Sequence, residues 1–375
     1  MKVLITGANG FVGKNLCLFL RERKDVEVVR FTREDKVSQL PALLKEVDFV
    51  FHLAGVNRPQ DPAEFTAGNL DLTQALCQAV AGVVAVTGKK IPIVYASSIQ
   101  AGLDNPYGLS KRKAEKVLQT AGQDRRTPVH VFRLPNVFGK WCKPNYNSAV
   151  ATFCHNIARG LPIQVNDPTA SVALVYVDDV MERFVELMDG ADDSRGADGF
   201  SVVTPQYTTT VGELARLIQS FRESRLTLMT ERVGTGLVRA LYATYVSYLP
   251  MEAFAYGVPQ YADARGVFVE MLKTPDCGQF SFFTAHPGIT RGGHYHHSKT
   301  EKFLVIKGQA RFKFRHMETS QVHELITSGE NPEVVETVPG WTHDISNIGS
   351  EEMVVMIWAN EVFDRAKPDT FACPL

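Results

Sequence analysis

Residues 3–13 read VLITGANGFVG. Three apolar residues run into Gly7, Gly10 and Gly13 in the spacing GxxGxxG. Glycine at such positions permits a tight strand-to-helix turn and lets backbone N–H groups approach a pyrophosphate at a helix N-terminus. The motif is weak by itself, but here it follows a strand pattern and opens an amphipathic helical pattern over 12–23. Gly7, Gly10, Phe11, Val12 and Gly13 are therefore candidates for a dinucleotide site.

Working outward, apolar runs at 26–29, 49–53, 91–95 and 129–132 alternate with helical patterns at 70–86 and 110–118. Alternating strand and helix units predict a doubly wound, Rossmann-type parallel α/β sheet covered on both faces. An NAD enzyme of this kind places an acidic residue after the second strand, to hold the ribose 2′-hydroxyl. This chain has Arg30-Phe-Thr-Arg33 there. Cations at that place suit a 2′-phosphate, so NADPH is the expected cofactor.

The pattern changes near Leu249-Pro250. Before it, Leu237, Leu241, Tyr245 and Tyr248 recur near helical spacing and read as a connecting helix that packs on its neighbours. After it, short strand-like runs follow at 267–272, 279–284, 302–306, 310–314, 334–338 and 353–358, with glycine and proline between them. These predict an all-β sandwich or barrel. The expected domains are 1–250 and 251–375, and a chain of 375 residues suits two cores. The formal net charge of -1 gives no pull toward nucleic acid or anionic membrane. Six scattered cysteines without a CxxC pair fit a reduced, cytoplasmic protein. No signal-peptide pattern is read at the start, and no apolar run is counted that approaches the roughly 18 residues of a membrane helix, so no membrane insertion is expected.

Tyr107 and Lys111 are four apart in a helical pattern, which places them on one face. An ammonium beside a phenol favours the phenolate and is expected to lower the tyrosine pKa. Ser97 and Ser98 end the strand pattern just upstream. Serine, tyrosine and lysine together can bind a carbonyl oxygen and supply its proton during hydride transfer. The glycine motif, Asp48-Phe-Val-Phe-His-Leu-Ala54, Asn69, Ser97-Ser98, YxxxK, Arg133-Leu-Pro-Asn136-Val-Phe-Gly139 and Tyr176-Val-Asp-Asp-Val180 together resemble the extended short-chain dehydrogenase/reductases that act on nucleotide sugars. The resemblance implies that Ser98 holds the carbonyl oxygen, that Tyr107 is the general acid, and that Lys111 tunes Tyr107 and holds the nicotinamide ribose. It adds Leu53 and Ala54 to the cofactor site. Dehydratases of this family carry an Asp-Glu pair after the catalytic serine or threonine. Here Ile99 and Gln100 stand there, which argues against elimination and for simple ketone reduction. The polar loop 140–147, with Lys143, Asn145 and Asn147, and Asn136 before it, are the expected substrate contacts.

Residues 288–308 read GITRGGHYHHSKTEKFLVIKG. On a strand His294 and His296 share a face, and His297 points the other way. Glu301 follows five residues after His296, and His343 lies in VPGWTHDISN. His294, His296, Glu301 and His343 make a plausible N/O metal site. Their spacing, with Gly288, Gly308, Gly340 and Asn347, resembles the cupin family, a jelly-roll barrel. Residues 263–270 and 291–295 also resemble nucleotide-sugar 3,5-epimerases, which use a histidine base at the position of His294. The order of the two modules resembles the bifunctional reductase–cupin enzymes of surface polysaccharide synthesis. That resemblance implies zinc, a homodimer, and a UDP-linked 4-keto-6-deoxy-N-acetylhexosamine as substrate. It implies C3 epimerisation by the cupin and C4 reduction with NADPH to UDP-2-acetamido-2,6-dideoxy-β-L-talose, toward UDP-N-acetyl-L-fucosamine. A reductase whose cupin is only a zinc-stabilised structural module is the alternative.

Overall fold

Strand β1 (Lys2–Thr6) runs into the glycine turn and α1 (Phe11–Arg21), then β2 (Glu27–Phe31). Next come α2 (Leu40–Leu44), β3 (Phe49–His52), α3 (Ala63–Phe65), α4 (Leu72–Thr87) and β4 (Ile93–Ser98). Then α5 (Pro106–Ala121) leads to β5 (Val129–Leu134). The five strands are parallel in the order β2-β1-β3-β4-β5. Val3, Leu4, Ile5, Val50 and Phe51 are fully buried because helices cover both faces, which is why these strands read as unbroken apolar runs. The order reverses at β1, so a crevice opens at the C-terminal ends of β1 and β3. This places the glycine turn where a dinucleotide binds in such sheets.

The structure is a computed structural model and describes residues 1–59, 61 and 63–375. It divides into two compact units, Met1–Ile218 with Ala240–Leu249, and Gln219–Arg239 with Pro250–Leu375. A second small sheet, β6 (Asn136–Phe138), β7 (Ser171–Tyr176) and β8 (Tyr207–Thr210), lies in the first unit with α6 (Ala149–Ala158) and α7 (Val177–Met188). Its strands are short and partly exposed, so their patterns do not stand out in the sequence. The helical stripe at 237–248 becomes α9 (Gly236–Ser247), which follows α8 (Val211–Thr227).

One expectation needs correction. The helical stretch Ala63–Thr87 is long and apolar enough to cross a membrane by length and composition. The run escapes a simple count because Thr, Asn, Asp and Gln interrupt its apolar residues. Its Leu76, Val80, Val83 and Val84 pack into the core with Leu4, Val50 and Tyr95, as in the core helix of a globular unit.

The second unit holds β9 (Gln260–Asp263), β10 (Gly266–Lys273), β11 (Gln279–Ala285), β12 (Thr290–Tyr295), β13 (Glu301–Lys307) and β14 (Gln309–His316). It continues with β15 (Val322–Ser328), β16 (Val334–Glu336), β17 (Trp341–Asn347), β18 (Met353–Ala359) and β19 (Phe371–Ala372). These form two antiparallel sheets, β16-β13-β18-β11-β10-β9 and β15-β14-β17-β12-β19. Phe303 and Val305 alternate inward from β13, and Ala310, Phe312 and Phe314 from β14. The shared core is the period-2 signal made physical.

Candidate functional site

Gly7 has φ of 70°, and a side chain there would meet the Ala54 backbone at 2.7 Å. A Cβ on Gly13 would strike the Gly7 carbonyl at 2.2 Å. The turn is therefore pressed against the 53–54 loop, which brings Leu53 and Ala54 to the same crevice as Gly7, Gly10, Phe11, Val12 and Gly13. The absent side chains make a cradle that fits a pyrophosphate. Arg30 is exposed and donates to Asn9 Oδ1 at 3.0 Å, so its guanidinium lies over that turn. Arg33 is exposed on the turn that follows β2.

Ser98 ends β4, and Tyr107 and Lys111 occupy the first turns of α5, capped by Asn105 onto Gly108 N at 2.7 Å. Ser98 hydrogen-bonds Tyr107. Burial raises the Tyr107 pKa, and the Ser98 bond opposes it. The Tyr107 pKa is thus raised and not lowered as the spacing suggested, because burial outweighs the Ser98 bond. Lys111 Nζ donates to the Ala96 carbonyl at 2.9 Å and lies 4.7 Å from the centre of the Tyr95 ring. Burial lowers Lys111 to about 8, and Glu115 opposes that shift. Asn69, in a π-helical turn, donates to Val56 O and Ser110 Oγ, both at 2.9 Å, and so ties the 53–56 loop to α5. Glu115, one turn beyond Lys111, is buried and accepts from Ser97 Oγ at 2.5 Å and from Arg133. Sequence reading did not assign Ser97, Glu115 or Arg133 to one network, because the three lie on β4, α5 and β5.

Asn136 uses its amide on the Ala173 carbonyl at 3.0 Å, which holds β6 to β7. Lys143, Asn145 and Asn147 are exposed on the loop after β6. That loop reaches the one after β3, where Tyr146 donates to Arg58 O at 3.5 Å.

In the second unit, His294, His296, Glu301 and His343 offer ligand atoms that all lie within 4.8 Å of one another. They come from β12 and its following turn, the start of β13, and β17. His296 Nε2 is 3.3 Å from Glu301 Oε2, and His343 Nε2 is 3.8 Å from the same oxygen. Both ring nitrogens of buried His343 lack a hydrogen-bond partner. Burial lowers His343 to about 4, so it stays neutral and ready to donate a lone pair. An orphaned buried imidazole among two more and a carboxylate fits a divalent metal. The cluster opens into a cavity of about 300 Å³ that Arg265, Arg291, Lys299, Asp344 and Phe363 also line. His297 is exposed and packs on Phe371, away from the cluster.

Comparison with known proteins gives this geometry a family. Residues 3–202 match the NAD dependent epimerase/dehydratase family, and residues 261–371 match the polysaccharide biosynthesis C-terminal domain. The chain is 63% identical over 374 residues to the UDP-2-acetamido-2,6-beta-L-arabino-hexul-4-ose reductase of Pseudomonas aeruginosa, with 100% of this chain and 98% of that one covered. The crystal structure of the capsular polysaccharide assembling protein CapF from Staphylococcus aureus matches with a TM-score of 0.92 at 41% identity, over 100% of both chains. The chain belongs to the CapF family. The first module of that family shares its fold more widely. A UDP-glucuronic acid 4-epimerase from Bacillus cereus in complex with NAD covers 66% of this chain, with a TM-score of 0.53 at 16% identity. The match to an NAD dependent family brings a nicotinamide dinucleotide with it. In this CapF-family chain, the cavity residues Arg265 and Arg291 fall in the two stretches that resemble 3,5-epimerases, whereas Lys299, Asp344 and the distant Asp369 had no role assigned from the sequence.

Proposed function

We propose that this chain is a two-step nucleotide-sugar enzyme with modules at 1–250 and 251–375, of which the stretch 219–239 belongs with the second compact unit. The second epimerises C3 of a UDP-2-acetamido-2,6-dideoxy-4-hexulose, and the first reduces C4 to UDP-2-acetamido-2,6-dideoxy-β-L-talose. Full-length similarity to a hexul-4-ose reductase supports the substrate class. The observation that carries the reading is that one chain holds both a Ser98–Tyr107–Lys111 set and a four-ligand cluster facing a cavity.

NADPH, when bound in the glycine crevice, supplies the hydride to C4. Ser98 orients the ketone oxygen. Tyr107, whose phenol burial keeps protonated at neutral pH, gives that oxygen its proton. Lys111 holds its charge below pH of about 8 and would hold the nicotinamide ribose. Arg30 and Arg33 favour the 2′-phosphate by charge. His294, His296, Glu301 and His343 would hold a zinc ion, which when bound would supply Lewis-acid polarisation of the C4 carbonyl and so make the hydrogen on C3 more acidic. A cavity side chain removes that proton, and a proton is returned to the opposite face of C3, which inverts it. His294 serves as this base only insofar as metal ligation leaves it a free lone pair. The zinc, the homodimer, the cytoplasmic location and the route to UDP-N-acetyl-L-fucosamine belong to the same reading.

Incubation of the purified chain with the UDP-4-keto sugar in deuterated water tests it. Deuterium at C3 without NADPH is expected, followed by NADPH oxidation and a talose-configured product. No C3 exchange, with NADPH oxidation intact, would reduce the chain to a reductase.

A further inference from the structure

Asp369 stands 73 residues beyond His296, yet its backbone carbonyl accepts a hydrogen bond from His296 Nδ1. Its carboxylate accepts from three successive backbone N–H groups, His297 at 2.9 Å, Ser298 at 2.7 Å and Lys299 at 2.8 Å, and from Ser298 Oγ at 3.1 Å. The residues after Asp369 form β19 and pair with β12, Phe371 opposite Tyr295 and Ala372 opposite His294. Cys373 N donates to Gly293 O at 2.8 Å, and the Phe371 ring stacks on Tyr295 with centroids 5.4 Å apart.

This segment supplies what β12 lacks. Gly292 and Gly293 have φ of 98° and 74°, and the pairing of β12 with β17 slips between Gly292 and His294. Glycine in a strand carries the largest conformational freedom, so β12 by itself holds its histidines poorly. The turn between His296 and Glu301 would likewise leave its N–H groups to water. A carboxylate that accepts all three fixes the turn by charge-assisted hydrogen bonds. A proton on His296 Nδ1, donated to the Asp369 carbonyl, leaves Nε2 with its lone pair toward Glu301, 3.3 Å away.

We infer that Asp369 and the strand after it form a clasp that positions His296 and the 297–299 turn for metal binding. The inference rests on the metal-centre reading above. Asp369 touches no ligand atom of the cluster except through His296, so it is a positioning residue.

Zinc affinity of the full-length chain, measured by competition with a chromophoric chelator, tests the clasp on Asp369→Ala and the milder Asp369→Asn. Asp369→Ala keeps the backbone carbonyl but removes the carboxylate that anchors residue 369 to the 297–299 turn; if that anchor is what holds the carbonyl on His296, a loss of about 10–100-fold in metal affinity is expected, the usual cost of losing an outer partner of a ligating histidine. Asp369→Asn keeps one acceptor oxygen and should lose less. The cobalt-substituted variants should show altered d–d bands, and the zinc-induced rise in melting temperature should shrink. If Asp369→Ala does not fold, the affinity of Asp369→Asn decides. Parental zinc affinity with an unchanged cobalt spectrum, even in a protein that melts earlier with and without zinc, overturns the clasp and leaves the metal centre standing. A parent chain that binds no divalent ion overturns both.

Discussion

Arg133 grips Glu115 with two hydrogen bonds, Nε to Oε1 at 3.1 Å and Nη2 to Oε2 at 2.7 Å, one helical turn beyond Lys111. Ser97 adds a third bond at 2.5 Å. Removing one partner of a buried pair leaves the other charge uncompensated, at a cost of about 3–5 kcal/mol. The Glu115 side chain is only 3% exposed but Arg133 is 26% exposed, so the lower end applies to Glu115→Gln. Thermal unfolding should show the loss. Glu115 also holds Lys111 up against burial, so the variant should move the alkaline limb of kcat/KM for reduction to lower pH. A limb that does not move would separate Glu115 from Lys111.

Tyr107→Phe should lower kcat for ketone reduction by roughly 10²–10⁴-fold, the usual size of a lost general acid. NADPH binding, followed by fluorescence titration, should change little, because the phenol hydrogen-bonds Ser98 at the head of α5 and not the glycine turn. A variant that oxidises NADPH at the parental rate removes Tyr107 from the mechanism.

What is legible in the sequence is what depends on short spacing. Tyr107 and Lys111 read as one face of a helix, and His294 and His296 as one face of a strand, because 3.6 and 2 residue periods are local rules. The glycine turn is legible because each glycine answers to a backbone clash, as at Gly7 against Ala54. The strand-poor region 136–210 is not legible, since β6 and β8 have three and four residues and little apolar alternation. Nor is the direction of the Tyr107 shift. Spacing shows that Lys111 is near but not that burial outweighs the Ser98 bond, or that Nζ turns to the Ala96 carbonyl. Asp369 is invisible for a third reason: hydrogen bonds that span 70 to 73 residues leave no periodic trace.

Arg30→Ala should reduce the preference for NADPH over NADH. Arg30 already lies over the glycine turn through Asn9, but it is exposed and solvent screens it. A loss of about tenfold in the kcat/KM ratio of the two cofactors is expected, arising from NADPH alone, since a bond to a charged group is the one removed. Steady-state kinetics with both cofactors decides, and an unchanged ratio removes Arg30 from cofactor choice.

His52 gives the first unit an acid limit. It is fully buried between Thr6 Oγ1 at 2.7 Å and Thr73 Oγ1 at 2.8 Å, and it stacks on Tyr95. Burial first, and the Lys111 charge second, lower its pKa from 6.5 to about 3. The unfolded chain takes up a proton as pH falls through 6.5, while the folded chain takes none until about 3. Stability present above pH 6.5 is therefore lost across that window, at up to about 1.4 kcal/mol per pH unit. Urea unfolding at several pH values should show this slope. His52→Gln should be less stable at pH 7 yet flatter between pH 6.5 and 3.

Metal removal should divide the two activities. His343 is buried with no hydrogen-bond partner on either ring nitrogen, and its pKa of about 4 keeps it uncharged at neutral pH. Without an ion, that imidazole is a desolvated polar group with nothing to satisfy it, which costs about 1–3 kcal/mol. A bound ion reverses this, and at a thousandfold excess over Kd the stabilisation is about 4 kcal/mol. Chelation should therefore lower the melting transition of the second unit, and zinc should restore it. His343→Ala should remove both responses. Deuterium exchange at C3 should vanish with the metal, while reduction of an already epimerised ketone by NADPH persists, because Ser98, Tyr107 and Lys111 lie in the other unit. Loss of both activities on chelation would mean that the reductase itself depends on the metal, and would overturn the division of labour between the units.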